Sequence, residues 1–406
     1  MAPIKIGLVG LSTSSTATNW AVRAHLPYLQ SEHGKSLFEI IALCNSSVES
    51  AKQSVKHFGL AECVRTYGSP EGLAADPDVE LVVCVVGVKG HYEVCLPAVK
   101  AGKNVYTELP FASNMQQMQE LTDEAEKKGV RTIMGCQGQA HPAVHLIKKM
   151  IAEGKIGKPL STTVTGVSGF SLDKALPPSF RMLAEREGGA NFATIWFLHN
   201  MNCVLEVFGK LEAFSSVMGI DHPTVEIMDP AQGGKIVESV KKECPDNILL
   251  QGRFESGTLI NYQMRAGKVF PGEPGCRWLI SGDKGDIQLT SPRGCFDIEH
   301  VGIEIKYRQA DQAEAEIVAL PEDELSGLEQ PAQNVGRLYD AYAKGKTDFS
   351  ELAEDPNDVM RKYRAVFGAG VGVSWEKEQS FNAQRGINTI SVEQWARKTL
   401  KQNDWI

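Results

Sequence analysis

The stretch IKIGLVGLSTSSTATNW, residues 4–20, decides the fold of the first part of the chain. An apolar, strand-like run ends at Gly10, and a turn rich in serine and threonine leads into an amphipathic segment. A glycine there permits a tight turn, after which the N–H groups of a helix can bind phosphate. Ser12 and Ser15 occupy the later glycine positions of the pattern G-x-G-x-x-G. We interpret the stretch as a phosphate-binding turn; a plain strand–turn–helix is the alternative.

Four segments of the same strand-like texture follow at regular intervals: FEIIALCN (38–45), VELVVCVVG (79–87), NVYTEL (104–109) and RTIMGCQG (131–138). Amphipathic segments between the strands predict helices over 19–31, 48–58, 91–101 and 114–128. Three of these helices precede a glycine expected to form a left-handed C-cap, namely Gly59, Gly102 and Gly129. This alternation predicts an α/β fold with an N-terminal Rossmann doubly wound parallel sheet.

The texture of the sequence changes after Gln137. The pattern predicts two helices and an intervening strand, then successive strands with turns, and finally two closing helices: helices 143–153 and 190–208, strand 160–170, strands over 211–307, and helices 334–343 and 356–367. The acidic segment 310–327 is expected at the surface. We therefore predict a dinucleotide-binding domain over 1–137 and a C-terminal α/β domain over 138–406, with an open, mainly antiparallel sheet.

The composition excludes several classes of function. The chain of 406 residues has 42 basic and 50 acidic side chains, a net charge of −8 that disfavours direct binding to nucleic acid. Nine scattered cysteines without a C-x-x-C pair indicate reduced thiols, and nine histidines show no metal-ligand spacing. No secretory signal and no apolar run of the ~20 residues that span a membrane is evident. We expect a cytoplasmic protein without a metal.

The end of the second predicted strand bears on the choice of cofactor. An acidic residue there would bind the ribose hydroxyl of NAD, but the sequence has Asn45 and Ser46. No carboxylate repels a 2′-phosphate and no arginine clamps one, so NAD and NADP both stay open, with NADP slightly favoured. The candidate cofactor-binding residues of the first two turns are Gly10, Leu11, Ser12, Thr13, Ser14, Asn45 and Ser46.

With VVGVKGHYEVCLPAVKAGKNVYTELP (85–110) and FLHNMNCVLEVFG (197–209), the chain resembles the glucose-fructose oxidoreductase / inositol dehydrogenase / MocA family over essentially its whole length. The segments HLPYL, GHYEVCLP, GVRTIMGCQG and IAEGKIGKP are similar to the branch that contains the galactose-regulon repressor of yeasts. The resemblance implies a nicotinamide site between the two domains and a C-terminal sheet used for oligomerisation.

Two signatures of that family are incomplete in this chain. Its enzymes carry Glu-Lys-Pro after a Rossmann strand, and the matching residues here are Glu108, Leu109 and Pro110. They also carry an aspartate four residues before a histidine, where this chain has Ile195 and His199. The repressor branch lacks the lysine and the aspartate as well. A leucine cannot transfer a proton, so lysine-assisted chemistry is not expected.

His199 and Lys89 are the candidate catalytic residues. His199 can exchange protons near neutral pH, although a histidine satisfied inside the core is the alternative; Lys89 could supply the missing cation or be merely solvated. Further candidates for cofactor binding, each with a structural alternative as a turn, helix-start or core residue, are Val86, His91, Glu108, Gln137 and Trp196.

Two functions fit these observations. The first is an NAD(P)-dependent oxidoreductase acting on a small polar, sugar-like or specialised metabolite, with His199 as the acid–base group. The second is a non-catalytic regulator that binds a dinucleotide and a protein partner, for which a nuclear location is also compatible. Under either interpretation we expect a homo-oligomer, a dimer or tetramer, formed through the C-terminal sheet.

Overall fold

The computed structural model describes residues 2–13, 19–168, 175–185, 189–295 and 302–345. All of these residues belong to one compact unit of the chain. Ser14 and the predicted helix 356–367 lie outside the described residues, so both stay predictions.

The first sheet has six parallel strands in the order β3-β2-β1-β4-β5-β6. The strands are β1 (Ile4–Val9), β2 (Phe38–Cys44), β3 (Arg65–Tyr67), β4 (Leu81–Cys84), β5 (Asn104–Glu108) and β6 (Thr132–Gly135). The chain reverses direction across the sheet between β1 and β4, which is where doubly wound folds open a crevice beyond the carboxyl ends of the strands. The predicted Rossmann sheet is confirmed, with β3 as a short edge strand that the sequence did not reveal.

The helices of this first part are α1 (Leu26–Gln30), α2 (Glu32–Leu37), α3 (Val48–His57), α4 (Pro70–Ala74), α5 (His91–Lys100) and α6 (Met115–Lys128). The prediction of one helix over 19–31 is wrong in detail. A π-helical turn, Ala21–His25, precedes α1. Ser31 then adopts an extended conformation and accepts a hydrogen bond from the Gly34 N–H, which starts α2 in a new direction.

The three predicted glycine caps are confirmed. Gly59, Gly102 and Gly129 have φ of 61°, 76° and 62°, the left-handed region that other residues rarely adopt. They end the helices shortly before the chain returns to the sheet.

The second sheet has eight strands in the order β16-β15-β14-β13-β7-β12-β11-β8. The strands are β7 (Pro159–Val167), β8 (Leu211–Gly219), β11 (Asn247–Phe254), β12 (Leu259–Arg265), β13 (Cys276–Gly282), β14 (Gly285–Ser291), β15 (Glu304–Gln309) and β16 (Glu316–Val318); β9 (Thr224–Asp229) and β10 (Lys235–Lys241) form a separate hairpin. Only the β7–β12 pair is parallel among these described pairs, so the predicted mainly antiparallel sheet is confirmed.

One face of the second sheet is covered and the other is open. Two further helices are α7 (Pro142–Ala152) and α8 (Leu198–Phe208). Phe208, at the end of α8, stacks on Phe254 of β11 at 5.1 Å between ring centroids. On the opposite face Val217 is 65% exposed, and its cross-strand neighbour Leu249 is 40% exposed. An open apolar face of this kind is available for association.

The predicted continuous helix over 190–208 begins differently in the structure. Residues Ala193–Phe197 form a π-helical turn, and α8 follows it. The Asn191 carboxamide oxygen accepts hydrogen bonds from the N–H groups of Ala193 and Thr194, at 3.1 and 3.2 Å. Because a π turn has more residues per turn than an α-helix, it changes which side chains share a face at this junction.

The closing helix α9 (Gln330–Ala343) is buried on most of its surface. It packs against the turn Ala21–His25 and against the 3₁₀ turn Gln137–Ala140. Gly336 is needed for this packing, because a Cβ at that position would collide with the ring of Tyr28. That ring is stacked on the Tyr339 ring with 5.2 Å between centroids. The helix predicted over 334–343 is thereby confirmed, with an earlier start.

The cysteines and the helices bear on two expectations from composition. All nine cysteines are free thiols, and most are buried. Within the described ranges, no helix combines the length and the apolar character that crossing a bilayer requires.

Candidate functional site

Gly10 joins the turn after β1 to the turn after β4. Its φ is +98°, and its N–H donates a hydrogen bond to the Cys44 carbonyl at 3.0 Å. A Cβ at this position would lie 2.5 Å from the carbonyl oxygen of Val85. Only glycine fits at this position. Because it has no side chain, the turns after β1 and β4 can meet where the strand order reverses.

The turn after Gly10 is fixed from the second strand. Leu11 is buried, and its carbonyl accepts hydrogen bonds from the Asn45 carboxamide at 2.8 Å and from the Ser54 hydroxyl at 2.7 Å. The amide of Asn45 is thus used inside the protein to hold the turn. The exposed residues with hydroxyl groups at this edge are Ser12, Thr13 and Ser46.

His91 connects two turns of the crevice. Its Nε2 lies 3.0 Å from the Val86 carbonyl oxygen, and its Nδ1 lies 2.9 Å from that of Pro110. Burial lowers the pKa of His91, against the raising effect of the two carbonyls. A neutral imidazole donates from one nitrogen only, so it holds one of the two carbonyls at a time. Both nitrogens lie against backbone carbonyls, and ribose contact by His91 stays a prediction.

Glu108 ends β5 and precedes the cis peptide bond between Leu109 and Pro110. Its Oε1 lies 2.8 Å from Nε2 of His25, a side chain with no solvent exposure. The carboxylate lies over Gly135 of β6, where a Cβ would collide with it. Leu109 is buried, at 5% exposure. The residue in the lysine position is therefore part of the apolar packing at this turn.

Lys89 forms an ion pair that the sequence did not predict. Its Nζ lies 3.1 Å from Oε2 of Glu185, whose other oxygen accepts from Nε of Arg181 at 2.7 Å. The guanidinium of Arg181 also pairs with Glu238 of β10. Hydrogen bonds from Arg181 and then Lys89 lower the pKa of Glu185. The structure thus places Lys89, at 68% side-chain exposure, in a surface network of charges.

The last Rossmann turn and helix α8 meet. Gln137 is 2% exposed, and its Oε1 has no hydrogen-bond partner among the residues that the structure describes. The Asn202 carboxamide of α8 donates to Sγ of Cys136, the residue before Gln137, at 3.3 Å. His199 stands one turn before Asn202 on the same helix face and is 8% exposed.

Trp196 belongs to the π-helical turn that precedes α8. It stacks on Phe192, with 6.0 Å between ring centroids and 17° between planes. Because the π turn intervenes, the spacing of three residues to His199 does not place the two side chains on one α-helical face. Its role as a wall of the site stays a prediction.

These features fit a nicotinamide dinucleotide. The turn at Gly10 offers backbone N–H groups and exposed hydroxyls, and the residues after β2 bring no carboxylate against a phosphate. The buried oxygen of Gln137 at the end of β6 could accept a hydrogen bond from a ligand amide. The residues that could hold the dinucleotide lie in the turns after β1, β2, β4 and β6.

Sequence reasoning missed the partners of two candidate residues. His25 binds Glu108 across 83 positions of sequence, and Glu185 binds Lys89 across 96 positions. No local residue spacing predicts contacts between residues so far apart in sequence. The segment HLPYL, which contains His25, was the one signal, since it is part of the family resemblance.

Comparison with known proteins agrees with both parts of the structure. Residues 4–136 match the model of the oxidoreductase family with an NAD-binding Rossmann fold (GFO/IDH/MocA), and residues 142–291 match that of the C-terminal domain of Gal80p.

Two relatives and one solved structure are similar to most of the chain. The galactose/lactose metabolism regulatory protein GAL80 of Saccharomyces cerevisiae is 26% identical over 74% of this chain and 69% of its own length. The dehydrogenase aclE of Aspergillus oryzae is 29% identical over 71% of this chain and 77% of its own. The crystal structure of a super-repressor mutant of S. cerevisiae Gal80p superposes with a TM-score of 0.79, at 22% identity, over 94% of this chain and 97% of that one. This last likeness shows the fold.

Proposed function

Since the chain belongs to the GFO/IDH/MocA oxidoreductase family and carries a Gal80p-like C-terminal domain, we propose that it is an NAD(P)-dependent oxidoreductase with an altered active site. The observation that carries this proposal is the position of His199. It lies on the face of α8 that meets the end of β6, next to the turn that holds the buried amide of Gln137.

His199 is the acid–base group in this proposal. The side chain is 8% exposed, and in this proposal its imidazole exchanges a proton with a ligand in the crevice. An imidazole serves this purpose near neutral pH, because its ordinary pKa is roughly 6.5. A nicotinamide dinucleotide supplies hydride transfer when it is bound.

The other residues of the site bind and orient. Gln137 accepts a hydrogen bond from the carboxamide end of the dinucleotide, and the turn Gly10–Thr13 receives its phosphates. Leu109 gives the site an apolar floor where related enzymes have an amine, so substrates that need little proton assistance are favoured. Small polar, sugar-like or specialised metabolites fit this description.

NADP is slightly favoured over NAD as the cofactor. The residues after β2 include the exposed hydroxyl of Ser46 and no carboxylate that would repel a 2′-phosphate. The amide of Asn45 already holds the Leu11 carbonyl, which leaves Ser46 as the exposed polar residue of that turn for contact with a 2′-phosphate.

A regulator without catalytic activity is the second candidate. Two substitutions favour it, Leu109 for the lysine and Ile195 for the aspartate of the family's enzymes. The similarity to GAL80, which is named as a regulatory protein, points the same way. In this case the dinucleotide is a ligand and the crevice also receives a protein partner; a nuclear location is then compatible, whereas the enzyme is expected in the cytoplasm.

One experiment separates the two functions. NADH and NADPH binding is measured by fluorescence for the wild-type chain and His199→Ala, and cofactor turnover is then assayed with sugars, polyols, aldehydes and imines. The enzyme predicts turnover of at least one class, reduced about 100-fold or more in His199→Ala while cofactor binding is kept. Binding without any turnover, or equal turnover in both proteins, contradicts it. Absence of binding to either nucleotide contradicts both candidates.

Association through the open face of the second sheet completes the proposal. Three strands present exposed apolar side chains there, namely Val217, Leu249 and Leu259. Burying such a face against a second copy would remove apolar surface from water, so we expect a homodimer or tetramer.

A further inference from the structure

Two buried side chains, linked by hydrogen bonds, hold the carboxylate of Glu108 from beneath the crevice. His25 Nε2 lies 2.8 Å from Glu108 Oε1, and His25 Nδ1 lies 2.8 Å from the Tyr339 hydroxyl. His25 and Tyr339 both have no solvent exposure. The side chain of Glu108 is 13% exposed, so of these three hydrogen-bonded residues it is the one that reaches the surface of the site.

For a neutral His25 beside an ionised Glu108, the two hydrogen bonds have a single consistent direction. A neutral imidazole has one donor and one acceptor nitrogen, and an ionised carboxylate can only accept. Nε2–H of His25 therefore donates to Glu108, and the Tyr339 O–H donates to Nδ1. Burial, and then the charge of Glu108, raise the pKa of Tyr339 well above its usual value, which keeps the phenol protonated as this direction requires.

Tyr339 is itself held in place by rings on several sides. It stacks on Tyr28 at 5.2 Å, meets Phe38 edge-on at 5.1 Å, and lies 5.1 Å from the Tyr106 ring. Aromatic contacts of this geometry fix both the position and the tilt of a ring. These ring contacts therefore fix the position from which the Tyr339 hydroxyl reaches His25.

Helix α9 supports a second part of the crevice as well. It packs against the turn Ala21–His25, which carries His25, and against the turn Gln137–Ala140, which carries the buried amide. Glu108 ends β5, and Gln137 follows the adjacent strand β6. One helix from the far end of the described chain therefore supports two neighbouring polar groups of the candidate site.

We propose that Tyr339 and His25 are positioning residues that orient the Glu108 carboxylate for contact with the bound dinucleotide or substrate. This inference rests on the proposed binding of a dinucleotide in the crevice. In this arrangement His25 fixes Oε1, and we assign the contact with the ligand to Oε2.

Tyr339→Phe tests the proposal, with Tyr106→Phe as its matched control. Both positions are buried in the same ring cluster, but the Tyr106 hydroxyl has no hydrogen-bond partner among the described residues. We expect Tyr339→Phe to weaken NADH binding about fivefold, the effect of one ordinary hydrogen bond, and Tyr106→Phe to leave it unchanged. Equal affinities in the two folded variants overturn the proposal.

A spectroscopic measurement reports directly on the hydrogen bonds of His25. Long-range ¹H–¹⁵N spectra distinguish the two neutral tautomers of histidine, and the His25 signal is assigned by its loss in His25→Gln. We expect the Nε2–H tautomer in the wild-type protein, with a shift of the Nδ1 resonance in Tyr339→Phe and none in Tyr106→Phe. The Nδ1–H tautomer in the wild-type protein contradicts the proposed direction.

Glu108→Gln covers the case in which Tyr339→Phe does not fold. This substitution removes the charge at the exposed end of the chain without altering the ring cluster, and we expect the same weakening of NADH binding; unchanged binding overturns the proposal. If the wild-type protein binds neither NADH nor NADPH, the proposed function fails. If the wild-type protein binds and the variants bind equally well, only the positioning role fails.

Discussion

The hydroxyl of Tyr28 donates a 2.5 Å hydrogen bond to the carboxylate of Asp340, which joins the first helical segment to the closing helix across 312 positions of sequence. Burial, and next the hydrogen bond to Asp340, raise the pKa of Tyr28 far above its ordinary value. We predict that Tyr28→Phe lowers the free energy of unfolding by about 1.5–3 kcal/mol, the range for a hydrogen bond to a charged group. Urea denaturation measures this loss.

Tyr106→Phe is the control for that prediction. The Tyr106 hydroxyl is buried without a partner among the described residues, so removing it leaves stability unchanged or raises it. An equal loss in both variants would mean that the ring cluster responds to any change of polarity, and that the bond to Asp340 adds nothing.

The ion pairs of Glu185 predict a dependence of stability on pH and salt. Hydrogen bonds from Arg181 and Lys89 lower the pKa of Glu185 in the folded state. A lowered pKa gives stability that is complete above the ordinary carboxyl value of roughly 4.3 and is lost as the pH falls through the lowered value. We expect wild type to have a higher urea midpoint than Glu185→Gln at pH 7, with the difference vanishing in strong acid and shrinking in high salt. A difference that persists at both extremes would contradict an electrostatic origin.

Gly10→Ala is predicted to destabilise the chain and to impair dinucleotide binding. The new Cβ would meet the Val85 carbonyl at 2.5 Å, in addition to the strain of a positive φ. Gly59→Ala is the matched control, because Gly59 also has a positive φ but nothing lies within 4 Å of its Cβ position. The control should cost about 1 kcal/mol, from backbone strain alone, and the test variant at least about 2 kcal/mol, since crowding adds to strain.

Differential scanning fluorimetry and an NADH titration measure the two effects. Gly59→Ala should bind NADH like the wild-type chain. If the two variants lose equal stability and both keep full affinity, the contact between the turns after β1 and β4 is unimportant for the crevice.

Val217→Arg is predicted to reduce the molar mass measured by light scattering to that of a single chain. Val217 is 65% exposed beside Leu249 on the open face of the second sheet, and an arginine there would lose its hydration on association. Phe270→Arg serves as the control, because Phe270 is 74% exposed and stands outside the strands. A mass that falls equally with both substitutions, or with neither, would refute association through this face.

The sequence predicted the fold well where periodicity is local. Alternating strands and helices, glycine caps and the run of strands after residue 211 all follow from patterns that span a few residues. The helix starts at Ser31 and Asn191 were harder to predict, because a capping side chain redirects the backbone there. The edge strand β3 is three residues long, which is too short for its hydrophobic pattern to predict a strand.

The sequence indicates candidate residues for the site but not their partners. The ends of strands and the family resemblance point to Glu108, Gln137 and His199, whose roles stay predictions. The contacts that decide what these side chains can do come from residues far away in sequence, such as His25 for Glu108 and Glu185 for Lys89. Such partners depend on tertiary packing, which no spacing rule for one segment encodes.

The anchoring of Glu108 from below makes the position of its carboxylate independent of any charge on the neighbouring residue. His25 and Gly135 contact the carboxylate from the side of the sheet, so no cation at position 109 is needed to orient it. Leu109 can therefore bury its side chain at this turn while Glu108 keeps its place.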